Sequence, residues 1–331
     1  MRSDLCLLPR KPVKTKLHTL ALLVGALALT ACSTYQTPIV RDAVPKDHGL
    51  IGAGEGPAWH DGSLYFVDGE RINRMDARGR TTAFRETPSN GLLFDRDGRL
   101  LACEHKARRV TRTEKDGSIT VLADHFQGNR FNSPNDLCAD SQGRIYFTDP
   151  RYGPRVGMEI RDEKGRIVEG VYRITEKAHA KSRVELLLGP DEVNRPNGIL
   201  VTPDNHFLYV ADNNNNNHDA ARKLLRFTLN ADGSVRPGSR RVIFDWRDSR
   251  GPDGLKMDGA GRLYVCAGRN EPNEYETTRF KAGCYVLSPG GRLIDFIATT
   301  PDEATNCALG GVDKRTLYIT SGKHLWSLSL K

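Results

Sequence analysis

Six oxygen-bearing side chains recur along the chain, and each stands nine to eleven residues before a short strand-like run of the type Leu-Tyr-Val. Residues at a constant distance from a repeated strand fall at the same end of each repeated unit, so these six are expected to converge. Carboxylate and amide oxygens that converge can bind a hard cation. The six residues are Glu55, Asn90, Asn135, Asn197, Asp253 and Asn306.

Four of the six lie in phrases framed by Gly or Pro, which suit a preorganised ligand set: Glu55, Asn135, Asn197 and Asp253. Taken singly, such phrases are ordinary turn chemistry. Taken together, they give two carboxylates and two amide carbonyls, an all-oxygen shell with a charge of −2. Ca²⁺ accepts mixed oxygen ligands, whereas Mg²⁺ needs a tighter octahedron and Zn²⁺ usually prefers nitrogen or sulfur. The pattern therefore predicts calcium, with Zn²⁺, Mn²⁺ or Mg²⁺ as alternatives.

The repeat also predicts the fold. Successive runs begin 36 to 63 residues apart, and hairpin turns such as Asp140-Ser141-Gln142-Gly143 precede them. This period, with several short strands per copy, is typical of an all-β, six-bladed β-propeller. The last copy ends at Leu330, one strand short, so the segment 39–44 is expected to supply the missing outer strand and close the ring.

In such a blade the first strand leaves the site and the second returns to it, so the loops that follow the Leu-Tyr-Val runs surround the channel mouth. Three of these loops are long, at about 149–169, 212–222 and 268–283. His105 follows the second strand of blade two and is a candidate acid, base or hydrogen-bond donor, with a structural histidine as the alternative. Tyr152, in the first long loop, is a further candidate for contact with a substrate.

At these residues the chain resembles the SMP-30/gluconolactonase/LRE-like family. The resemblance spans about residues 49–330, and its phrases occur in the family's order. The matching phrases are Glu55-Gly56-Pro57-Ala58-Trp59, Asn129-Arg130-Phe131-Asn132-Ser133-Pro134-Asn135-Asp136, Thr148-Asp149-Pro150-Arg151-Tyr152-Gly153, Arg195-Pro196-Asn197-Gly198 and Pro252-Asp253-Gly254-Leu255.

The resemblance implies a six-bladed propeller with one catalytic calcium, or another divalent ion, held by the four Gly- or Pro-framed residues. It also implies that Arg130 and Asn132 contact the substrate. Their position supports this role independently, because both precede Asn135 in the loop that leads into blade three and offer donors to a sugar lactone. A salt-bridged scaffold is the alternative for Arg130.

The expected reaction is metal-assisted opening of a sugar lactone, in which the cation polarises the carbonyl and Asp253 activates water. A bound cation lowers the pKa of an aspartate, which favours Asp253 as ligand over Asp253 as base. No G-x-S-x-G elbow occurs. Two alternatives stay open: a phosphotriester or other ester hydrolase on the same metal, and a non-catalytic propeller that binds sugar acids or a protein.

The N-terminal segment has the order of a bacterial export signal. Basic residues precede an apolar stretch at 17–29 that is too short to span a bilayer comfortably, and Leu29-Thr30-Ala31-Cys32 resembles a lipobox. We expect a signal peptide at 1–31, a lipidated tether and closing strand at 32–48, and the propeller at 49–331. Acylation of Cys32 would anchor the protein in the outer membrane facing the periplasm; a simple secretory peptide cleaved near Ala31 is the alternative.

Charge and cysteine content exclude other classes. The leader carries five of the 49 basic and one of the 41 acidic residues, which leaves a charge of +4 and no basic cluster for nucleic acid. No Cys-x-x-Cys pattern indicates zinc. Five cysteines remain after Cys6 and Cys32, an odd number that leaves at least one free, and Cys266 and Cys284 could pair on consecutive strands.

Overall fold

A computed structural model describes residues 35–177, 180–300 and 302–331 of the chain, and these residues are built from β-strands, turns and loops. The expected signal peptide and Cys32 lie outside the described residues. Within the described part, no helix has the length and hydropathy of a membrane span.

The strands are short, most of them three to seven residues long. In chain order they are β1 (Lys46–Leu50), β2 (Glu55–His60), β3 (Ser63–Val67), β4 (Ile72–Met75), β5 (Thr81–Arg85), β6 (Leu92–Phe94), β7 (Leu100–Glu104), β8 (Arg109–Thr113), β9 (Ile119–Ala123), β10 (His125–Phe126), β11 (Asn129–Arg130), β12 (Leu137–Ala139), β13 (Ile145–Asp149), β14 (Gly170–Lys177), β15 (Ala180–Leu188), β16 (Pro196–Val201), β17 (Phe207–Asn213), β18 (Arg222–Thr228), β19 (Arg241–Asp245), β20 (Leu255–Met257), β21 (Leu263–Ala267), β22 (Gly283–Leu287), β23 (Leu293–Ala298), β24 (Ala304–Gly310), β25 (Thr316–Ser321) and β26 (His324–Ser329).

These strands form six four-stranded antiparallel sheets, each a blade, and one small hairpin, β10-β11. The inner strands β2, β6, β12, β16, β20 and β24 each contact the inner strands on both sides, so the sheets close into a ring. The predicted six-bladed β-propeller is confirmed. The blades in strand order are β2-β3-β4-β5, β6-β7-β8-β9, β12-β13-β14-β15, β16-β17-β18-β19, β20-β21-β22-β23 and β24-β25-β26-β1.

Blade six combines the two ends of the described chain. The outer strand β1 pairs antiparallel with β26, with Lys46 opposite Ser327. The N-terminal side therefore closes the ring, but through Lys46–Leu50 and not through 39–44. Ile39 makes only an isolated bridge to Leu330. The earlier segment does not continue as a strand for two reasons. Asp42 adopts the left-handed region (φ 63°) in a turn, and Pro45 has no backbone N–H to donate.

The core lies between the blades. Six apolar clusters each join residues of two neighbouring blades. The second strand of each blade supplies much of this material, and Tyr146, Tyr209 and Tyr264 of the Leu-Tyr-Val runs are fully buried. Each large side chain buried in this way contributes about 1.5–3 kcal/mol, so the ring is stabilised mainly by contacts between blades.

Three of the hairpin turns between the first and second strands, those before β7, β13 and β21, share one construction, Asp-x-x-Gly-Arg. In the turn before β13, Asp140 accepts hydrogen bonds from the backbone of Gln142 and Arg144 and from the Arg144 side chain, while Gly143 takes a positive φ. The turn before β21 repeats this with Asp258. These turns fix the register of the first two strands of a blade and thereby the place at which the first strand begins.

Candidate metal centre at the channel mouth

The four predicted ligands occupy equivalent places at the inner ends of four blades. Glu55 begins β2 and Asn197 is the second residue of β16, while Asn135 and Asp253 stand two residues before β12 and β20. The last three are buried, with no more than 8% of their surface exposed, and Glu55 is half-buried. The constant offset from the repeated strands thus places these side chains at one end of the central channel.

The two carboxylates lie close enough to repel each other. Burial, followed by the charges of Asp253 and Asp136, holds the pKa of Glu55 well above its usual range. Burial also raises the pKa of Asp253 to about 6, against the lowering effect of Arg250. Two ionised carboxylates close together in a partly desolvated site destabilise the folded state unless a cation compensates their charge.

The amide residues contribute oxygen atoms. Asn135 Oδ1 is buried and has no hydrogen-bond partner among the described residues. The Asn197 amide donates through Nδ2 to the Tyr152 hydroxyl at 3.1 Å, which turns its oxygen away from that hydroxyl. A buried acceptor without a partner costs about 1–3 kcal/mol, and a bound cation would remove this cost.

Arg250 is a residue of the site that the sequence did not reveal. Its guanidinium donates to Asp253 Oδ2 at 2.5 Å and to the carbonyl of Ala304, and it pairs with Glu303 at 3.0 Å. It therefore holds one oxygen of Asp253 and leaves the other oxygen for a ligand. It also offsets part of the −2 charge that the four predicted ligands would carry alone.

The two other members of the six-residue register differ in role. Asn306 donates from Nδ2 to Glu55 Oε2 at 3.3 Å, and its Oδ1 accepts from the Cys307 backbone, so its amide is occupied. Asn90 Oδ1 is buried and, among the described residues, has no partner. Asn306 thus orients a carboxylate, while Asn90 presents a further free oxygen.

The residue after each ligand is glycine in most blades because the neighbouring blade comes too close for a side chain. A Cβ on Gly198 would lie 2.1 Å from the carbonyl oxygen of Asp253, and one on Gly56 would lie 2.1 Å from that of Asn90. The backbone of Gly198 donates to the Asp253 carbonyl at 3.1 Å. Backbone hydrogen bonds between neighbouring blades therefore connect one ligand residue to the next.

Tyr152 and His105 both lie at this end of the channel. The Tyr152 hydroxyl donates to the Asn213 carbonyl at 2.9 Å and accepts from Asn197, and burial and the charge of Asp253 raise its pKa well above the usual range. His105 follows β7 and is half-buried, with Nδ1 unpartnered among the described residues. Burial and the charge of Lys106 lower the pKa of His105, so its imidazole is neutral at pH 7.

Arg130 and Asn132 have different environments. Arg130 is exposed in the hairpin β10-β11 and donates to the Ala107 carbonyl at 2.7 Å. Asn132 is fully buried, and its Nδ2 donates to the carbonyls of Asp149 and Val168 at 3.0 and 2.7 Å. The Asn132 amide nitrogen therefore supports the loop, while its buried Oδ1 has no partner among the described residues. The Arg130 side chain is exposed.

The long loops around the mouth are tied together by buried arginines. Arg222 donates to the carbonyls of Asn217 and Tyr275 and so joins two of the loops. Arg195 pairs with Glu169 at 3.0 Å, and its guanidinium lies 5.4 Å from the centre of the Tyr152 ring. These contacts give the mouth fixed walls.

The residues present fit an oxygen-ligated divalent cation. Such ions require hard oxygen donors. The site offers two neighbouring carboxylates, a buried amide oxygen without a partner, and a second amide held by Tyr152. Among the described residues near this mouth there is no cluster of sulfur or imidazole ligands that would favour a softer metal.

Comparison with known proteins agrees with the fold. The profile described as "SMP-30/Gluconolactonase/LRE-like region" matches residues 53–323. A gluconolactonase of Zymomonas mobilis is 27% identical over 73% of this chain, which spans 63% of that relative's length. A 6-deoxy-6-sulfogluconolactonase of Pseudomonas putida is 28% identical, with 82% of this chain and 83% of the relative covered. The structure of a Xanthomonas campestris gluconolactonase superposes with a TM-score of 0.70 at 28% identity, covering 89% of this chain and 91% of that one.

Proposed function

Because the chain belongs to the SMP-30/gluconolactonase/LRE-like family, we propose that it is a metal-dependent hydrolase that opens a sugar lactone at the channel mouth. The observation that supports the proposal is the mutual repulsion of Glu55 and Asp253, together with the buried, unpartnered oxygen of Asn135 at the start of a neighbouring inner strand. Two relatives named as sugar lactonases support the substrate class.

The proposed ligands are Glu55, Asn135, Asn197 and Asp253, and calcium is the proposed ion because all their donor atoms are oxygens. When bound, the ion supplies electrophilic polarisation of the lactone carbonyl. Mg²⁺, Mn²⁺ and Zn²⁺ are the ions against which calcium is to be compared.

The protein's own side chains orient this site. Arg250 holds Asp253 through one carboxylate oxygen, and Tyr152 holds the Asn197 amide. In lactone hydrolysis water adds to the carbonyl carbon, the ring C–O bond breaks, and one water proton ends on the released alcohol. We assign Asp253 the role of ligand and of proton acceptor for the water. Arg130, on the exposed hairpin, is assigned to the substrate.

We also propose that the protein acts in the cell envelope, anchored through acylated Cys32. This proposal rests on the order of basic residues, apolar stretch and Leu-Thr-Ala-Cys box in the sequence.

A hydrolysis assay tests the activity. The purified chain is stripped of metal with EDTA, resupplied with Ca²⁺, Mg²⁺, Mn²⁺ or Zn²⁺, and followed by acid release on a panel of aldonolactones, carboxylic esters and phosphotriesters. We expect turnover of an aldonolactone that EDTA abolishes and a divalent ion restores. The proposal fails if the folded, metal-supplied chain turns over none of the lactones, or prefers a phosphotriester.

A further inference from the structure

Three cysteine side chains meet in the core between blades five and six. Cys307 directly follows Asn306, and the Cys266 backbone pairs with Asp253. Cys266 lies on β21, Cys284 on β22 and Cys307 on β24, and their sulfur atoms all lie within 4.8 Å of one another. All three are buried with no exposed surface. Among the described residues, no other three His, Cys, Asp or Glu side chains bring their ligand atoms so close.

The backbone explains why two of these side chains face each other. Cys266 uses both its N–H and its carbonyl to pair with the strand before it, through Gly254 and Asp253. Its pairing with Cys284 on the other side is therefore of the non-hydrogen-bonded type, in which cross-strand side chains are closest. Cys307 enters from the next blade and also contacts the Tyr264 carbonyl at 3.5 Å.

We propose that Cys266, Cys284 and Cys307 form a binding site for a soft, monovalent d¹⁰ cation of the Cu(I) class. With metal–sulfur bonds of about 2.3 Å, three sulfurs around one ion stand about 4 Å apart. The three sulfurs here all lie within 4.8 Å of one another. Thiolate ligands select soft ions and disfavour Ca²⁺ and Mg²⁺. A structural zinc site almost always has four ligands, and this group offers three.

The surroundings favour a metal-binding thiolate. Hydrogen bonds from the thiols of Cys266 and Cys284, together with the charge of Lys256, hold the pKa of Cys307 well below its usual range. Binding of the ion would replace protons of the three thiols, and the charge of Lys256 would offset part of the resulting negative charge. The three cysteines belong to a buried hydrophobic cluster that includes Ile297 and Ile319.

Copper binding can be measured directly. The full chain is reduced and equilibrated under anaerobic conditions with Cu(I) buffered by bathocuproine disulfonate, both as the native protein and during refolding from urea, since the site is closed in the folded state. We expect one tight equivalent per chain, and X-ray absorption at the copper edge should show sulfur alone as the ligand. The same equivalent should remain when Cys6 and Cys32 are both changed to Ser.

Single substitutions identify the ligands. Cys307→Ser should weaken the tight equivalent by about a hundredfold or more, because ligand loss costs at least as much as loss of an outer-shell partner. Cys103→Ser is the matched control, since Cys103 is equally buried but lies on β7 in blade two. If Cys307→Ser does not fold, as judged by circular dichroism, Cys284→Ser decides the question in the same assay.

Three results would overturn the site: no tight equivalent in the native or refolded chain, an equivalent that survives Cys307→Ser or Cys284→Ser, or its loss in Cys103→Ser. A disulfide between Cys266 and Cys284 in freshly isolated protein, found by differential alkylation and mass spectrometry, would also overturn it. Lactone hydrolysis is measured in parallel, and its presence or absence bears only on the channel-mouth proposal.

Discussion

Replacing Glu55 by glutamine should separate the stability of the metal-free protein from its response to calcium. The charge of Glu55 is unfavourable without metal, because burial and the charges of Asp253 and Asp136 raise its pKa. Because an unfolded glutamate is ionised at pH 8 and the folded site disfavours that ionised form, removing this charge should stabilise the EDTA-treated protein at pH 8. Glutamine keeps the shape and can still accept from Asn306.

Calcium should reverse the order of stability. At one hundred times its Kd, an ion that binds only the folded state adds about 2.7 kcal/mol, which raises Tm by roughly 5 °C in a domain of this size. Glu55→Gln should lose most of this shift and most of its lactone turnover. Scanning calorimetry with EDTA and with calcium measures both effects.

Glu86→Gln is the matched control, since the Glu86 side chain is 72% exposed and lies away from the ligands in sequence. It should change neither Tm nor the calcium shift by more than about 1 °C. A Glu55→Gln protein that keeps the full calcium shift, or that is less stable than wild type in EDTA, would refute the electrostatic reasoning and the ligand role of Glu55.

Four further predictions concern the leader, the two residues before Asn135 and the blade contacts. Intact-mass analysis of membrane-extracted protein should find acyl chains at Cys32, and an unchanged mass and location in Cys32→Ser would contradict the anchor. Arg130→Ala should lower kcat/KM about tenfold to a hundredfold with unchanged calcium affinity. Asn132→Ala should lower Tm, since it removes two buried hydrogen bonds, and normal stability with impaired turnover would assign Asn132 to the substrate and not to the loop. Gly198→Ala should destabilise the protein and weaken calcium binding. Gly259→Ala is the control, because a Cβ there meets no atom within 4 Å, and it should change neither property. Equal Tm values for the two variants would show that the blades tolerate separation at Gly198.

The propeller was predictable because each part of its repeat is recognised from residues close together in the sequence. A strand-like run, an Asp-Gly turn and an oxygen-bearing residue recur at nearly fixed offsets, and each is a short-range signal. The closing strand was placed too early because its pairing with β26 is a contact between distant parts of the chain. The segment at 39–44 was expected to close the ring because the last copy is one strand short, but the ladder begins at Lys46.

The side-chain contacts of the site were less predictable. The position of Asn132 in the loop before Asn135 predicted that it lies near the mouth. Its burial, however, depends on where the carbonyls of Asp149 and Val168 lie. Arg250 stands three residues before Asp253, a spacing that carries no signal in an irregular loop, and the ion pair follows from the side-chain directions. The amides of Asn90 and Asn306 look alike in the sequence, and only their neighbours distinguish them.

The backbone contacts that pass through the glycines make the site a property of the whole ring. The proposed ligand residues also join neighbouring blades. The Asp253 carbonyl accepts a hydrogen bond from the Gly198 N–H of blade four. The Glu55 side chain accepts one from the Asn306 amide, across the junction of blades one and six. That last junction is complete only when the N-terminal strand β1 has joined β26. If the four proposed ligands hold the ion, its affinity depends on closure of the ring. A chain shortened past Leu50 lacks the edge strand β1 and should then bind calcium more weakly.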